Sequence, residues 1–111
     1  MTWMERKSIS VDLLRSLCDE FNEKLKEKYS QLEIDVNGIN TKVFRHNNGD
    51  VFSPGFMFGG TDNCFHCLVI KYAGDIEEFQ QYLEEEGGQF FPEDYESKEE
   101  MFKAMLDEIE K

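Results

Sequence analysis

The sequence predicts an α+β fold that combines one antiparallel sheet with three helices. The run from Cys64 to Tyr72 carries apolar residues on both alternating faces, which is typical of a strand covered on both sides. From Leu32 to Val36, apolar residues alternate with acids and lead into Asn37-Gly38, the favoured pair for a two-residue hairpin turn. Helical patterns before and after these strands complete the order α-β-β-β-β-α-α. We therefore expect a four-stranded meander with its helices on one face.

The first helix is predicted over residues 9–30. Ser8 or Ser10 can cap its start, and its apolar positions recur at spacings of three and four: Leu14, Leu17, Cys18, Phe21 and Leu25. Residues 1–7 are predicted to be a short disordered lead-in. A length of 111 residues suits one domain, predicted to cover residues 1–111.

The middle of the chain predicts the remaining strands. A return strand runs from Ile39 to about Arg45, and Asn47–Asp50 supplies the next turn. Val51–Phe58 is predicted to be an edge strand or to be bulged, because Pro54 cannot donate a hydrogen bond to a neighbouring strand. The Cys64–Tyr72 strand closes the meander.

Two further helices are predicted after Gly74. Asp75 can cap the first of them, Gly87-Gly88 can end it, and its apolar set is Ile76, Phe79, Tyr82 and Leu83. Gln89–Pro92 is predicted to be a connector. Ser97–Glu100 has the pattern of a capping box and opens a last helix with an apolar side: Met101, Phe102, Met105, Leu106 and Ile109.

The charge of the chain is large and unevenly distributed. Twenty-four acids against twelve bases give −12. From Asp75 to Lys111 there are fourteen acids and three bases, a net of −11, so residues 1–74 carry only −1. Such a field repels nucleic acid and anionic membranes and attracts basic partners. We therefore expect no direct binding to nucleic acid or to a membrane.

Cysteine content and the lack of long apolar runs predict a cytoplasmic protein. Three cysteines cannot all pair within one chain, which fits a reducing compartment. No run reaches the ~18 apolar residues of a membrane span, and the first seven residues lack the apolar core of a signal peptide.

The segment from Cys64 to Cys67, with His66 inside it, is the sharpest candidate for chemistry. A Cys-x-x-Cys pair can bind zinc or cycle as a dithiol, and the other candidate ligands are His46 and Cys18. In a strand, however, Cys64 and Cys67 point to opposite faces, and His66 shares a face with Cys64. Buried packing cysteines are the favoured interpretation. Because no catalytic or nucleotide-binding motif is present, the chain is predicted not to be an enzyme and to hold no cofactor.

Two acidic clusters, Glu84-Glu85-Glu86 and Glu93-Asp94-Tyr95-Glu96, carry the functional prediction. A solvated, solubilising surface is the simplest interpretation, and calcium binding lacks the usual alternation of oxygen ligands. The third interpretation is a mimic of phosphate charge that docks on a basic surface, with aromatic anchors among the acids. The predicted contact residues are Glu84, Glu85, Glu86, Phe90, Phe91, Glu93, Asp94, Tyr95 and Glu96.

The function expected from this pattern is a small acidic binding protein, of the immunity, antitoxin or inhibitor type. It would act as a monomer or homodimer and block a basic partner such as a nuclease or another nucleic-acid-binding protein. One alternative is an acidic, dimeric, secretion-chaperone-like adaptor that binds apolar segments through Phe56, Met57 and Phe58. Another is a zinc- or thiol-dependent enzyme centred on Cys64, His66 and Cys67.

Overall fold

The computed structural model describes residues 10–36, 39–59, 64–85 and 88–111, with side chains at all of these except 33–36, 39–41, 56–59, 64–65, 84–85 and 88. Three α-helices, five strands and one short 3-10 helix lie in this described part of the chain. The helices are α1 Val11–Lys26, α2 Ile76–Glu85 and α3 Lys98–Glu110. The strands are β1 Ser30–Val36, β2 Ile39–Arg45, β3 Val51–Gly59, β4 Cys64–Tyr72 and β5 Gly88–Phe90, and the 3-10 helix is Pro92–Asp94.

Helix α1 begins where the sequence predicts and ends earlier. Ser10 Oγ accepts a hydrogen bond from the Leu13 N–H at 3.1 Å, so Ser10 is the cap. The predicted end near residue 30 is wrong, because α1 ends at Lys26. The N–H groups of Lys28 and Tyr29 both donate to the Leu25 carbonyl in the turn that follows, and β1 begins at Ser30. This turn places Tyr29 in the core, where it is 4% exposed.

The first hairpin is confirmed by its register. Val36 lies opposite Ile39, which leaves two residues for the turn; Asn37 and Gly38 themselves lie outside the described residues. The next turn is closed by the His46 N–H, which donates to the Asp50 carbonyl at 2.7 Å. Gly49 sits in it at φ +98°, a conformation that favours glycine.

The sheet has five strands rather than the predicted four. Its order is β1-β2-β3-β4-β5, and every neighbouring pair is antiparallel. The extra strand β5 lies where a connector was predicted, and Gly88, predicted to end a helix, starts it. Three residues are too few to show a period-two pattern, so β5 is visible only from its pairing with β4. β4, predicted to close the meander, instead lies between β3 and β5.

Helices cover both faces of the sheet. Phe44 and Cys67 pack with the buried residues of α1 and α3, whereas Val43 and Ile70 pack with Phe79 of α2. Successive residues of a strand point to opposite faces, so α2 lies on the face opposite to α1 and α3. The prediction of helices on one face is therefore wrong. Because neighbouring strand positions are both apolar, both faces need cover.

Strand β3 is interior in the sheet order, yet it behaves as an edge around Pro54. Its nine residues all pair with β4, while its described pairing with β2 covers only Val51 and Phe52. Just beyond these pairs, Ser53 Oγ donates to the Lys42 carbonyl at 3.0 Å. The side chain thus reaches β2 next to a residue that has no N–H to offer.

The caps predicted for α2 and α3 are confirmed. Asp75 Oδ1 accepts from the Glu78 N–H at 2.8 Å, and Ser97 Oγ accepts from the Glu100 N–H at 3.2 Å. Within the described ranges, no helix has the length and apolar character needed to cross a bilayer.

Candidate partner-binding surface

Acids are concentrated in the passage from Glu93 to Glu100 that follows β5, and we call this passage the acidic edge. β5 is the last strand of the sheet, and the chain leaves it through the 3-10 helix and enters α3. The described acids of this passage are Glu93, Asp94, Glu96, Glu99 and Glu100. All are exposed except Glu93, which is partly buried.

Local hydrogen bonds fix the path of the acidic edge. Pro92 starts the 3-10 helix, a position where its missing N–H is not needed. Its side chain is buried. The Asp94 N–H donates to the Phe91 carbonyl at 2.9 Å, and the Tyr95 N–H donates to the Pro92 carbonyl at 3.3 Å. Ser97 then caps α3, so the backbone between the acids is held at both ends.

The lysine within this segment pairs with an acid elsewhere in the molecule. Lys98 Nζ lies 3.0 Å from a carboxylate oxygen of Glu20 on α1, and this hydrogen bond raises the pKa of Lys98. Both side chains are roughly two-fifths exposed, so the pair adds little stability. Its consequence is electrostatic: the one base between Glu93 and Glu100 is directed toward Glu20 of α1.

Two of the predicted aromatic anchors have a structural role. Phe90 and Tyr95 are partly buried against the core formed by α1, α3 and the sheet, and burial, followed by the charge of Asp94, raises the pKa of Tyr95. Phe91 is different, because its ring meets the edge of the His66 ring with centroids 4.4 Å apart. Phe91 is also partly buried.

The first acidic cluster lies just before β5. Glu84 and Glu85 belong to the last turn of α2, and Glu86 lies outside the described residues. The chain order places this cluster before β5 and the acidic edge after it, so acids flank both ends of a strand only three residues long.

Two buried polar atoms close to this region have no hydrogen-bond partner. They are His66 Nδ1 and Glu93 Oε2. A buried polar group without a partner costs about 1–3 kcal/mol. His66 belongs to β4, which pairs with β5, and Glu93 belongs to the 3-10 helix that follows β5.

Cys67 and His66, two of the three residues of the enzyme alternative, point to opposite faces of β4. Cys67 is fully buried, and its Sγ lies 3.2 Å from Met105 Sδ. Burial raises the pKa of its thiol well above the usual value, which leaves little thiolate to act as a nucleophile or ligand. His66 immediately precedes Cys67 in β4, so its side chain lies on the opposite face of the sheet. The Cys64 side chain lies outside the description, and the described residues contain no group of three or more potential metal ligands.

A polar network that the sequence did not suggest joins the ends of α1 and α3. Lys28 Nζ and the Tyr29 hydroxyl both donate to Glu110 Oε1, and the hydrogen bond from Lys28, then that from Tyr29, lowers the pKa of Glu110. His46 stacks on Tyr29 with ring centroids 5.4 Å apart. These residues are up to 82 positions apart in sequence, so no local pattern links them.

The side chains proposed for the adaptor alternative, Phe56, Met57 and Phe58, are not described, so that alternative stays a prediction. No family model, curated protein or solved structure matches the chain.

Proposed function

We propose that the protein is a small acidic binding module that docks the acidic edge, together with Glu84, Glu85 and Glu86 before β5, on a basic protein surface. The observation that carries this proposal is the exposure of the acids Asp94, Glu96, Glu99 and Glu100 in the passage that follows β5, combined with the pairing of Lys98 with Glu20. Exposed negative charges on a backbone that hydrogen bonds hold in place produce a local negative potential. The partner class is a protein whose own cationic cleft accommodates phosphate, such as a nuclease or another nucleic-acid-binding protein.

A binding module of this kind uses charge chiefly to speed association and to choose its partner. Complementary potentials raise the association rate and exclude partners of like charge, while buried contacts set the lifetime of the complex. Phe91 is our candidate for such a buried contact, because it is partly exposed and packs on His66, whereas Phe90 and Tyr95 pack against the core. The immunity, antitoxin and inhibitor classes work in this way.

The test is capture of a partner by two matched variants. The first replaces Glu84, Glu85, Glu86, Asp94 and Glu96 by their amides. The control replaces five acids of α1, its C-terminal cap and α3 that are exposed in the structure: Asp12, Asp19, Glu23, Glu27 and Asp107. Each variant loses the same five negative charges, so total charge is matched and only position differs.

We expect the unmodified chain and the control to retain a basic protein from cell lysate at low salt and to release it as salt rises. The first variant should retain at least about tenfold less, since each lost contact at a charged interface removes attraction that salt also screens. Equal retention by both variants would overturn the proposal. Retention that persists at high salt would instead favour the apolar adaptor.

A further inference from the structure

We propose that the outer edge of β5 binds an extended lysine- or arginine-rich segment by strand addition, so that the segment becomes a sixth strand of the sheet. This inference rests on the proposed function and specifies how the partner is held. It follows from the direction of the backbone groups of β5 and from the acids at the two ends of that strand.

The direction of the backbone groups is fixed at the turn that precedes β3. The His46 N–H donates to the Asp50 carbonyl, so these two residues form a hydrogen-bonded pair. In an antiparallel ladder such pairs alternate with non-bonded ones, so the next bonded pair is Phe44 with Phe52. The backbone groups of Phe52 therefore point toward β2, and the nitrogen of Pro54, two residues later, points the same way.

The same alternation of hydrogen-bonded and non-bonded pairs extends across β4 to β5. Pro54 lies opposite Val69, and because its nitrogen points away from β4, the backbone groups of Val69 point away from β3 and toward Gly88 of β5. The next pair, Leu68 with Gln89, is then a non-bonded pair. The N–H and C=O of Gln89 therefore point outward from the sheet, and the residue is exposed.

An outward N–H and C=O at an edge strand offer the main-chain hydrogen bonds that strand addition needs. A strand of three residues is short enough to discourage unselective pairing between edges. Selection comes from the flanks, where Glu84 and Glu85 precede β5 and Asp94 and Glu96 follow it. An acidic or neutral strand gains nothing from these flanks, whereas a strand with cations at both ends is attracted to each of them.

The test uses an acetylated peptide with two lysines on each side of Val-Thr-Val, and amide hydrogen exchange of the whole chain followed by NMR. In the free protein we expect the Gly88 and Phe90 N–H groups to be protected and that of Gln89 to exchange quickly. Saturating peptide should slow exchange at Gln89 by about tenfold or more. The same peptide with N-methylated central residues keeps its charge but cannot pair, and should leave Gln89 unprotected.

Gln89→Pro removes the outward N–H without removing a hydrogen bond to β4, whereas Gln89→Ala keeps that N–H. We expect the first variant to lose at least tenfold in peptide affinity and the second to bind as the unmodified chain does, with unfolding curves verifying that both are folded. Peptide that binds without protecting Gln89, or that is indifferent to N-methylation, would overturn strand addition and leave the acidic edge as a docking surface. A peptide that fails to bind would also overturn strand addition. The capture experiment tests the proposed function separately.

Discussion

Individual residues link parts of the chain that are distant in sequence. Glu110 is the clearest case, because Lys28 and Tyr29 from the other end of the chain converge on one of its oxygens. Phe21 and Phe102 provide the apolar counterpart, with ring centroids 5.2 Å apart between α1 and α3. Such contacts fix which helices lie side by side, and no local sequence pattern reports them.

The lowered pKa of Glu110 predicts a pH dependence. A carboxylate whose pKa is lower in the folded state contributes stability above its unfolded pKa and loses that contribution as pH falls through the folded value. Because the Lys28–Glu110 pair is exposed and screened by solvent, Glu110→Gln should destabilise the chain only slightly at pH 7 and differ still less from the unmodified chain near pH 3. Urea unfolding at both pH values measures this. A difference that stays constant with pH would contradict it.

The burial of Cys67 leads to two predictions, one for the reactivity of its thiol and one for the stability of a variant at this position. A thiol that is fully buried with a raised pKa should react with a thiol reagent only when the chain unfolds. Cys67→Ser should cost about 1–3 kcal/mol, because a hydroxyl replaces the thiol next to Met105 without an oxygen or nitrogen partner. Labelling followed by mass spectrometry and urea unfolding test the two parts. Rapid labelling of Cys67 in the native chain would show that this part of the core opens.

At the level of elements, the helix starts depend on single side chains. Ser97 caps α3 and Ser10 caps α1. Ser97→Ala should cost about 1 kcal/mol. Ser16→Ala, at an exposed position inside α1, is the matched control and should cost nothing or stabilise slightly, since alanine has the higher helix propensity. Equal effects of the two substitutions in thermal unfolding would rule out the capping contribution.

Elements were predictable where a local pattern determines them. The caps at Asp75 and Ser97 and the hairpin of β1 and β2 follow from short-range chemistry and are confirmed. The strand β5 and the placement of α2 on the opposite face depend on pairing across the sheet, which no window of sequence contains. For the acidic edge, the sequence located the acids, but the packing of Phe90 and Tyr95 on the core and the link from Lys98 to Glu20 required the three-dimensional structure.

At the scale of the whole molecule, charge is the dominant property. The last third of the chain, residues 75–111, carries a net charge of −11 and contains α2, β5, the 3-10 helix and α3. These acids repel one another, and such self-repulsion opposes the compact state. The concentration of acids in this part of the chain therefore carries a cost in stability.

This cost predicts an unusual salt response. Raising NaCl from about 20 mM to about 300 mM should stabilise the free chain, because screening shortens the range of the repulsion. The variant with amides at Glu84, Glu85, Glu86, Asp94 and Glu96 should gain less from salt. The urea midpoint at the two concentrations measures this. A midpoint that falls with salt in the unmodified chain would mean that its ion pairs outweigh its like-charge repulsion.

The side-by-side arrangement of α1 and α3 has a consequence for how the protein is made. Glu20 meets Lys98, Phe21 meets Phe102 and Lys28 meets Glu110, so the first helix completes its packing only with the last. During translation the ribosome releases α1 and the strands before α3, so the face of the sheet that α1 and α3 share is only partly covered until α3 is made. Long sequence separations of this kind slow folding. The nascent chain therefore passes through an interval in which chaperones have access to its apolar face.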